Sequence, residues 1–369
     1  MYRIRKGVIY CDPLDRATEA QFKECLRPDW SLRGALMPDA HLGYGLPIGG
    51  VVKTDRVVVP SWVGYDIGCG VCNVPIEVPN GFDERSLRWL YDAVNRIIPM
   101  GFDKHINYPV DGPDNYGLTS HGLDAYHVRN AVLQYGTLGG GNHFIELGKD
   151  SQGNYSFTIH SGSRGVGHEI ASTYMRLASP DGKRSEGNFG FERGEDLYVM
   201  YLKDMKWCLE YALGNRLAML KIIEAEMQDI CDLYFDWPKL INKNHNHAEE
   251  MLDGSILHRK GATSATLGEY GVIPGNMRDG TAIVKGLGNP DSLFSCSHGA
   301  GRRYGRKEAG RALKLDDFQE DMQGVVANVS QKHIDEAPRA YKDFFEVLKQ
   351  QEDLALVEKF YKPVINWKA

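Results

Sequence analysis

Long apolar runs are missing from this sequence: its most apolar stretches, such as Val57 to Val63, fall far short of the roughly 20 residues that a membrane-spanning helix needs. The opening MYRIRKGVIYCDPLD has no apolar signal-peptide core, so a cytoplasmic location and no membrane partner are expected. Cysteine is sparse. The seven, at 11, 25, 69, 72, 208, 231 and 296, are odd in number and scattered, which argues against a disulfide framework and reads as free thiols. Positive charge is not in excess either. With 43 Lys and Arg against 49 Asp and Glu the net charge is −6, so any contact with nucleic acid must come from local clusters. Three catalytic signatures are also absent: the Gly-x-x-x-x-Gly-Lys-Ser/Thr phosphate loop, His-Glu-x-x-His, and the Lys-x-Asp-Gly of lysine-based nucleotidyl transferases. Nucleotide chemistry here would need another nucleophile.

What is present is an ordinary globular composition, 42% hydrophobic and 25% charged, in a chain long enough to bury about three quarters of its unfolded surface. No repeat or long linker divides it, so residues 1–369 read as a single domain. Leu46 to Val78 mixes β-branched runs with turn residues, and Tyr155 to His160 alternates as a half-buried strand does, putting Ser156, Thr158 and His160 on one face. Helical periodicity runs from about Glu195 to Phe235 with Gly214 as an internal break, and Lys342 to Tyr361 reads as another amphipathic helix. Intermixed strands and helices predict a layered α/β or mixed α+β fold.

Several polar clusters carry chemistry. In Asp66-Ile-Gly-Cys69-Gly-Val-Cys72 the glycines let a carboxylate and a thiolate converge, as a metal site requires; a zinc knuckle, a redox pair and plain buried packing are alternatives. Gly139-Gly-Gly-Asn142-His143-Phe-Ile-Glu146 sets an amide, an imidazole and a carboxylate after a glycine run. Simple pleating would put His143 and Glu146 on opposite faces, so a shared site needs a twist or bulge. The glycines of His160-Ser-Gly-Ser-Arg164-Gly-Val-Gly-His168 resemble an anion-binding loop, or else a turn with a solvated arginine. Asn244-His245-Asn246-His247 offers two imidazoles of which only one can readily face a given point. Ser295-Cys-Ser-His298-Gly-Ala-Gly-Arg302 puts a histidine beside a glycine turn, and six cations between 302 and 314 give a stretch able to hold polyanions, or simply a solvated basic helix. An imidazole can attack phosphorus to give a phosphoramidate.

These residues resemble the RtcB RNA ligases, which join RNA ends through a guanylylated histidine. The resemblance is carried by MPDAHLGYGLPIGGV from Met37, GYDIGCGV from Gly64, GTLGGGNHFIEL from Gly136, HSGSRGVGHEI from His160, HNHAEE from His245, RKGAT from Arg259, IPGNM from Ile273 and GLGNPDSLFSCSHGAGR from Gly286, with a similar chain end through Lys368. It implies a single-domain fold with sheets and helices packed around two Mn²⁺. Position by position, it implies that Asp66, Cys69 and His143 hold one metal and that Cys69, His160 and His245 hold the other. His298 matches the nucleophile. Asn142, Phe144, Glu146, His245, Asn246, Asn276, Met277, Thr281, His298, Gly299, Ala300, Gly301, Tyr341 and Lys368 fall at positions implied to bind GTP or GMP, and Arg164, Arg302 and Arg306 at positions suited to RNA phosphates. The implied substrates are RNA with a 2′,3′-cyclic phosphate or 3′-phosphate, RNA with a 5′-hydroxyl, and GTP; a helper protein for turnover is left open.

Departures from the family pattern are Gly68 for a common Asn, Gly140 for Ser, Asn276 and Arg278 for Ser and Gly, and Gly305 for Ser. They keep two other readings in view: a metal-dependent RNA-end phosphoesterase without efficient nucleotidyl transfer, and a non-catalytic RNA-binding protein.

Overall fold

The computed structural model describes residues 1–106 and 125–369. Two large sheets dominate the mixed α/β architecture, beside two two-stranded pairings among the described residues. The first has six strands in the order Tyr2–Ile4, Gly7–Ile9, Ser31–His41, Ile48–Thr54, Ile256–Lys260 and Asn246–Glu250. The second has nine. It runs from Tyr234–Phe235 through Gly70–Glu77, Tyr155–Ser161, Phe144–Lys149, Ala355–Trp367 and Thr281–Gly286 to Tyr270–Pro274, with Ile241–Asn244 also on Gly70–Glu77 and Val326–Ala327 also on Ala355–Trp367.

Alternation along the nine-stranded sheet sorts its faces. On one, Cys72, Val74, Ile145, Leu147, Phe157, Ile159, Ile365 and Trp367 pack against Leu90 and Val94 of the helix Glu84–Ile97 and against Met219, Leu220 and Ile223 of the helix Asp196–Cys231. Burying each large apolar side chain stabilises by about 1.5–3 kcal/mol. The other face is polar. Register pairs Asn73 and Glu146 with Thr158, and Asn366 with Glu146, and the same face ends at Phe144 opposite His160. Buried polar groups need partners, and Asn73 supplies them by donating to Ser156 Oγ at 3.0 Å and Thr158 Oγ1 at 2.9 Å.

The strand Tyr155–Ser161 therefore keeps the expected alternation but is not half-buried: every residue is covered, because the polar face backs the site rather than solvent. The long helix is Asp196–Cys231, close to the expected span, and Gly214 does not break it. A Cβ there would meet the Tyr135 hydroxyl at 2.2 Å, so the glycine admits a neighbouring ring. The expected helix from Lys342 to Tyr361 is mostly wrong. Only Phe344–Lys349 is α-helical, and Ala355–Trp367 is a strand held between Phe144–Lys149 and Thr281–Gly286. Two-sided pairing overrides the helical pattern there, and Pro363 is unsuited to a helix interior.

Cys11, Cys25, Cys69, Cys72, Cys208 and Cys296 are free thiols, as expected; the Cys231 side chain lies outside the described residues. Among the described residues no helix is long and apolar enough to cross a membrane.

Candidate metal centre and nucleotide cavity

Asp66 and Cys69 occupy the turn between the short helix Pro60–Val63 and the strand Gly70–Glu77. Gly68 in that turn has φ +75, a conformation open to glycine and tolerated by asparagine, so the departure at this position preserves the turn. The Cys69 carbonyl accepts from the His245 amide at 2.8 Å, tying two expected ligands together through the backbone. Gly162 lets another segment close in: a Cβ there would stand 2.1 Å from Asp66 Oδ1. Arg216, fully buried on the long helix, joins the pieces from behind. It donates at 2.7 Å to Asn242 Oδ1, Asn244 Oδ1 and the Ser161 carbonyl, and at 3.3 Å to the Gly68 carbonyl.

Two overlapping groups of metal-ligand side chains result, Asp66 with Cys69 and His143, and Cys69 with His160 and His245. Cys69 Sγ lies 3.5 Å from His143 Nε2 and 3.2 Å from His160 Nε2, and His160 Nε2 lies 3.3 Å from His245 Nε2. His143 Nδ1 stands 3.1 Å from the Leu138 carbonyl, to which it can only donate, and its Nε2 faces Asp66 Oδ2 at 2.9 Å, a spacing that a shared cation or a proton can bridge. Burial holds His160 and His245 well below the ordinary histidine range, keeping both imidazoles neutral, and burial reinforced by Asp66 pushes the Cys69 thiol up. Neutral imidazoles are ready ligands, and a thiolate here calls for a neighbouring cation. The donor set fits divalent metal, with nitrogen, sulfur and carboxylate oxygen converging in one buried place.

The two thiols of the Cys-x-x-Cys spacing serve different sides of the sheet. Cys69 joins the donor groups, whereas Cys72 sits in the hydrophobic core, which removes the basis for a redox pair or a zinc knuckle. His143 precedes the strand Phe144–Lys149, so it reaches the donors from the loop while Glu146 follows the pleat; no bulge is required. Of the paired imidazoles His245 faces the donors, and His247 turns to Arg259 at 3.3 Å.

His298 follows the strand Ser295–Ser297, and its ring lies 4.6 Å from that of His245. Asp39, buried at the strand Ser31–His41, accepts from His298 Nδ1 at 2.7 Å and from its amide at 3.2 Å. Nδ1 can only donate to this carboxylate, which leaves Nε2 as the ring nitrogen turned away from Asp39. Gly301, at φ +73, packs so tightly against this carboxylate's residue that a Cβ would sit 2.1 Å from the Asp39 carbonyl oxygen.

A second missed residue is Glu336. Its buried carboxylate meets Lys368 Nζ at 2.7 Å, Arg306 at 2.5 Å and Arg302 at 3.1 Å, and accepts the Tyr341 hydroxyl. Burial alone would raise Glu336, but Lys368, Arg306 and Arg302 outweigh it and hold it down at about 2. Lys368 Nζ lies 5.8 Å over the Phe144 ring, and the Arg302 guanidinium 5.2 Å over Tyr341. Glu146, by contrast, has only Thr281 Oγ1 at 2.9 Å and Asn366 Nδ2 at 3.3 Å, and burial pushes it up to about 8.

One cavity of about 410 Å³ is lined by every expected site residue except His143, Thr281 and Arg164. His143 stands behind Asp66 and Cys69, and Thr281 behind Glu146. Arg164, at φ +60, donates to Thr137 Oγ1 and the Gly101 carbonyl, both at 3.3 Å, and starts the helix Arg164–Ala178. Asn246 lines the cavity, but its amide is spent on the Asp66 carbonyl at 3.1 Å and the Gly261 amide at 2.7 Å. Asn276 closes on Asp279 at 2.7 Å, and Arg278 pairs with Asp279 and Asp321, outside the cavity lining. The basic stretch after His298 becomes the short helix Arg306–Ala312, with Gly305 as its N-cap and open space where a serine side chain would stand. A Cβ at Gly140 would likewise meet only Gly101, at 3.7 Å. Asp39 was legible within the MPDAHLG stretch as a carboxylate in an apolar strand; Glu336 and Arg216 carry no local motif.

An imidazole hydrogen-bonded to a buried carboxylate beside two groups of metal-ligand side chains suits chemistry at phosphorus, and that is the class of chemistry this cavity points to. A family model described as tRNA-splicing ligase RtcB matches residues 28–121 and 117–369. The chain belongs to the RtcB family. The RNA-splicing ligase RtcB of Escherichia coli K12 is 34% identical over 353 residues, covering 88% of this chain and 86% of its own. The tRNA-splicing ligase RtcB of Nanoarchaeum equitans is 29% identical over 415 residues, covering 87% and 84%.

Proposed function

We propose that this chain is an RNA ligase that seals a 3′-phosphate or 2′,3′-cyclic phosphate end to a 5′-hydroxyl end through a GMP adduct on His298, with residues 1–369 acting as one domain. The observation that carries the reading is the Asp39–His298 pair, 2.7 Å apart, beside the His245 ring. Two divalent cations, Mn²⁺ by family resemblance, would be held by Asp66, Cys69 and His143 and by Cys69, His160 and His245, where they supply Lewis-acid polarisation of phosphate oxygens and neutralise developing charge.

His298 Nε2 attacks the α-phosphorus of GTP, the P–N bond forms, and the bond to pyrophosphate breaks. Asp39 keeps the proton on Nδ1 and balances the charge that the ring gains. The RNA 3′-phosphate, reached from a cyclic phosphate by hydrolysis, then displaces His298 from GMP, returning the imidazole. The 5′-hydroxyl attacks the activated 3′-phosphate, and GMP leaves. Glu146 would accept the two N–H donors on a guanine edge, which favour its carboxylate; adenine lacks that pair, so guanine is preferred. Phe144 and Tyr341 offer ring faces near Lys368, and Arg302 and Arg306, which line the cavity, would meet an entering RNA phosphate.

The test is to incubate the protein with GTP, Mn²⁺ and two oligoribonucleotides, one ending in a 3′-phosphate and the other beginning with a 5′-hydroxyl. A joined product that requires GTP supports the reading. Cleavage or dephosphorylation of ends without joining would replace it with the phosphoesterase.

A further inference from the structure

No step above uses Tyr44, Tyr65, His168 or Arg184. Tyr44 lines the cavity, yet is 61% exposed, so it stands at the rim. Its backbone is fixed from below. The buried Lys260 ammonium donates to the Tyr44 carbonyl and, at 3.0 Å, to that of Ser61. Gly45, at φ +66, brings the loop so close that a Cβ would sit 2.8 Å from the Ser61 carbonyl oxygen. The Tyr44 ring touches Tyr65 edge-on, with centroids 6.1 Å apart at 77°. Tyr65, the residue before Asp66, is itself fully engaged: it stacks on His168 at 5.0 Å and 20°, lies 5.4 Å from the Arg184 guanidinium, and donates its hydroxyl to Glu186. His168 and Arg184 are both exposed. Phe144, Tyr341 and Lys368 gather around Glu336, whereas this group gathers around Lys260 and Glu186.

A single exposed tyrosine is ordinary. This one is a solvent-facing ring on an anchored loop, at the rim of the cavity that holds His298, with the exposed Arg184 guanidinium and the exposed His168 ring beside its aromatic neighbour. We propose that Tyr44 is a stacking platform for the base of the terminal nucleotide of an RNA strand whose end lies in the cavity, with Arg184 and His168 placed to meet the flanking phosphate. The inference rests on the RNA-joining reading above. Every base has a π-face, so the platform accepts RNA ends regardless of sequence, and because the loop is already fixed, binding does not have to order it.

The test uses Mn²⁺-loaded protein and fluorescein-labelled single-stranded RNAs, one with a 3′-phosphate end and one with a 5′-hydroxyl end, each prepared with an intact or an abasic terminal nucleotide. Dissociation constants come from fluorescence anisotropy. Loss of one base stack weakens binding roughly 5- to 150-fold. Tyr44→Ala should weaken binding of at least one intact RNA by that factor, and Tyr44→Phe should stay within about twofold of the parent because the ring is kept. The abasic form of that RNA should bind parent and Tyr44→Ala alike. Equal affinity of parent and Tyr44→Ala for both intact RNAs overturns the proposal, as does a loss in Tyr44→Ala that persists unchanged with the abasic forms. A folded parent that binds neither RNA overturns the RNA-joining reading and this proposal with it, an outcome distinct from the other two.

Discussion

Replacing Glu336 with glutamine removes one negative charge while keeping the side chain's shape, and it leaves Lys368 and Arg302 without their counter-charge. Their side chains are 4% and 13% exposed, so water cannot take over the role of the carboxylate. Arg306 is more open and retains Asp335 at 2.7 Å, so it adds little. Breaking a buried ion pair by removing one partner costs about 3–5 kcal/mol. At about 2.1 cal/mol/K per residue, a 369-residue chain unfolds with an entropy of roughly 0.8 kcal/mol/K, so the midpoint should fall by about 4–6 °C. Scanning fluorimetry near neutral pH reads this directly. The double variant Glu336→Gln with Lys368→Met should recover part of the loss, since the stranded ammonium is gone. An unchanged midpoint in Glu336→Gln would refute the account of this carboxylate as the charge hub of the cavity.

Three other expectations follow from the same geometry. Asp39→Asn should slow transfer of GMP to the protein by about 10²- to 10⁴-fold, because the amide no longer secures the Nδ1 proton of His298; single-turnover labelling with GTP measures the rate, and a near-parental rate would remove Asp39 from the mechanism. Cys69→Ala should empty both donor groups, since Cys69 belongs to each, and elemental analysis after dialysis should find little bound manganese, whereas His298→Ala should retain its metal. The pH dependence has a definite sign: Glu336 drops from an ordinary 4.5 to about 2 on folding, so its stabilisation is fully present above pH 4.5 and is lost as pH falls toward 2. It amounts to about 3 kcal/mol. Urea unfolding of the parent and of Glu336→Gln should therefore converge in that window, and curves that stay parallel would contradict it.

The chemistry of the site was more legible in the sequence than its framework. Asp66, Cys69, His143, His160 and His298 stand near glycines and His245 in an Asn-His-Asn-His run, local patterns that show through, and the structure brings all six together. The alternation of Tyr155–Ser161 was readable because a strand's period is visible locally. What covers each face was not, since that depends on elements far away in the chain. The strand Ala355–Trp367 was misread for the same reason: its pairing with both Phe144–Lys149 and Thr281–Gly286 is non-local. Glu336 and Arg216 act through partners far off in the chain, up to 148 residues distant for Arg216 and the Gly68 carbonyl, so no short motif marks them. Arg164 also depends on distant partners: its guanidinium donates to the Gly101 carbonyl, 63 residues away, which the glycine-rich stretch around it does not announce.

The central claim is that His298 Nε2 is the nucleophile, and the most direct measurement is to incubate the protein with Mn²⁺ and GTP labelled at its α-phosphate, denature it, and map the labelled peptide. The account predicts acid-labile label on the peptide carrying His298, none in His298→Ala, and a strongly reduced amount in Asp39→Asn. Label on another residue, or undiminished label in His298→Ala, would contradict it.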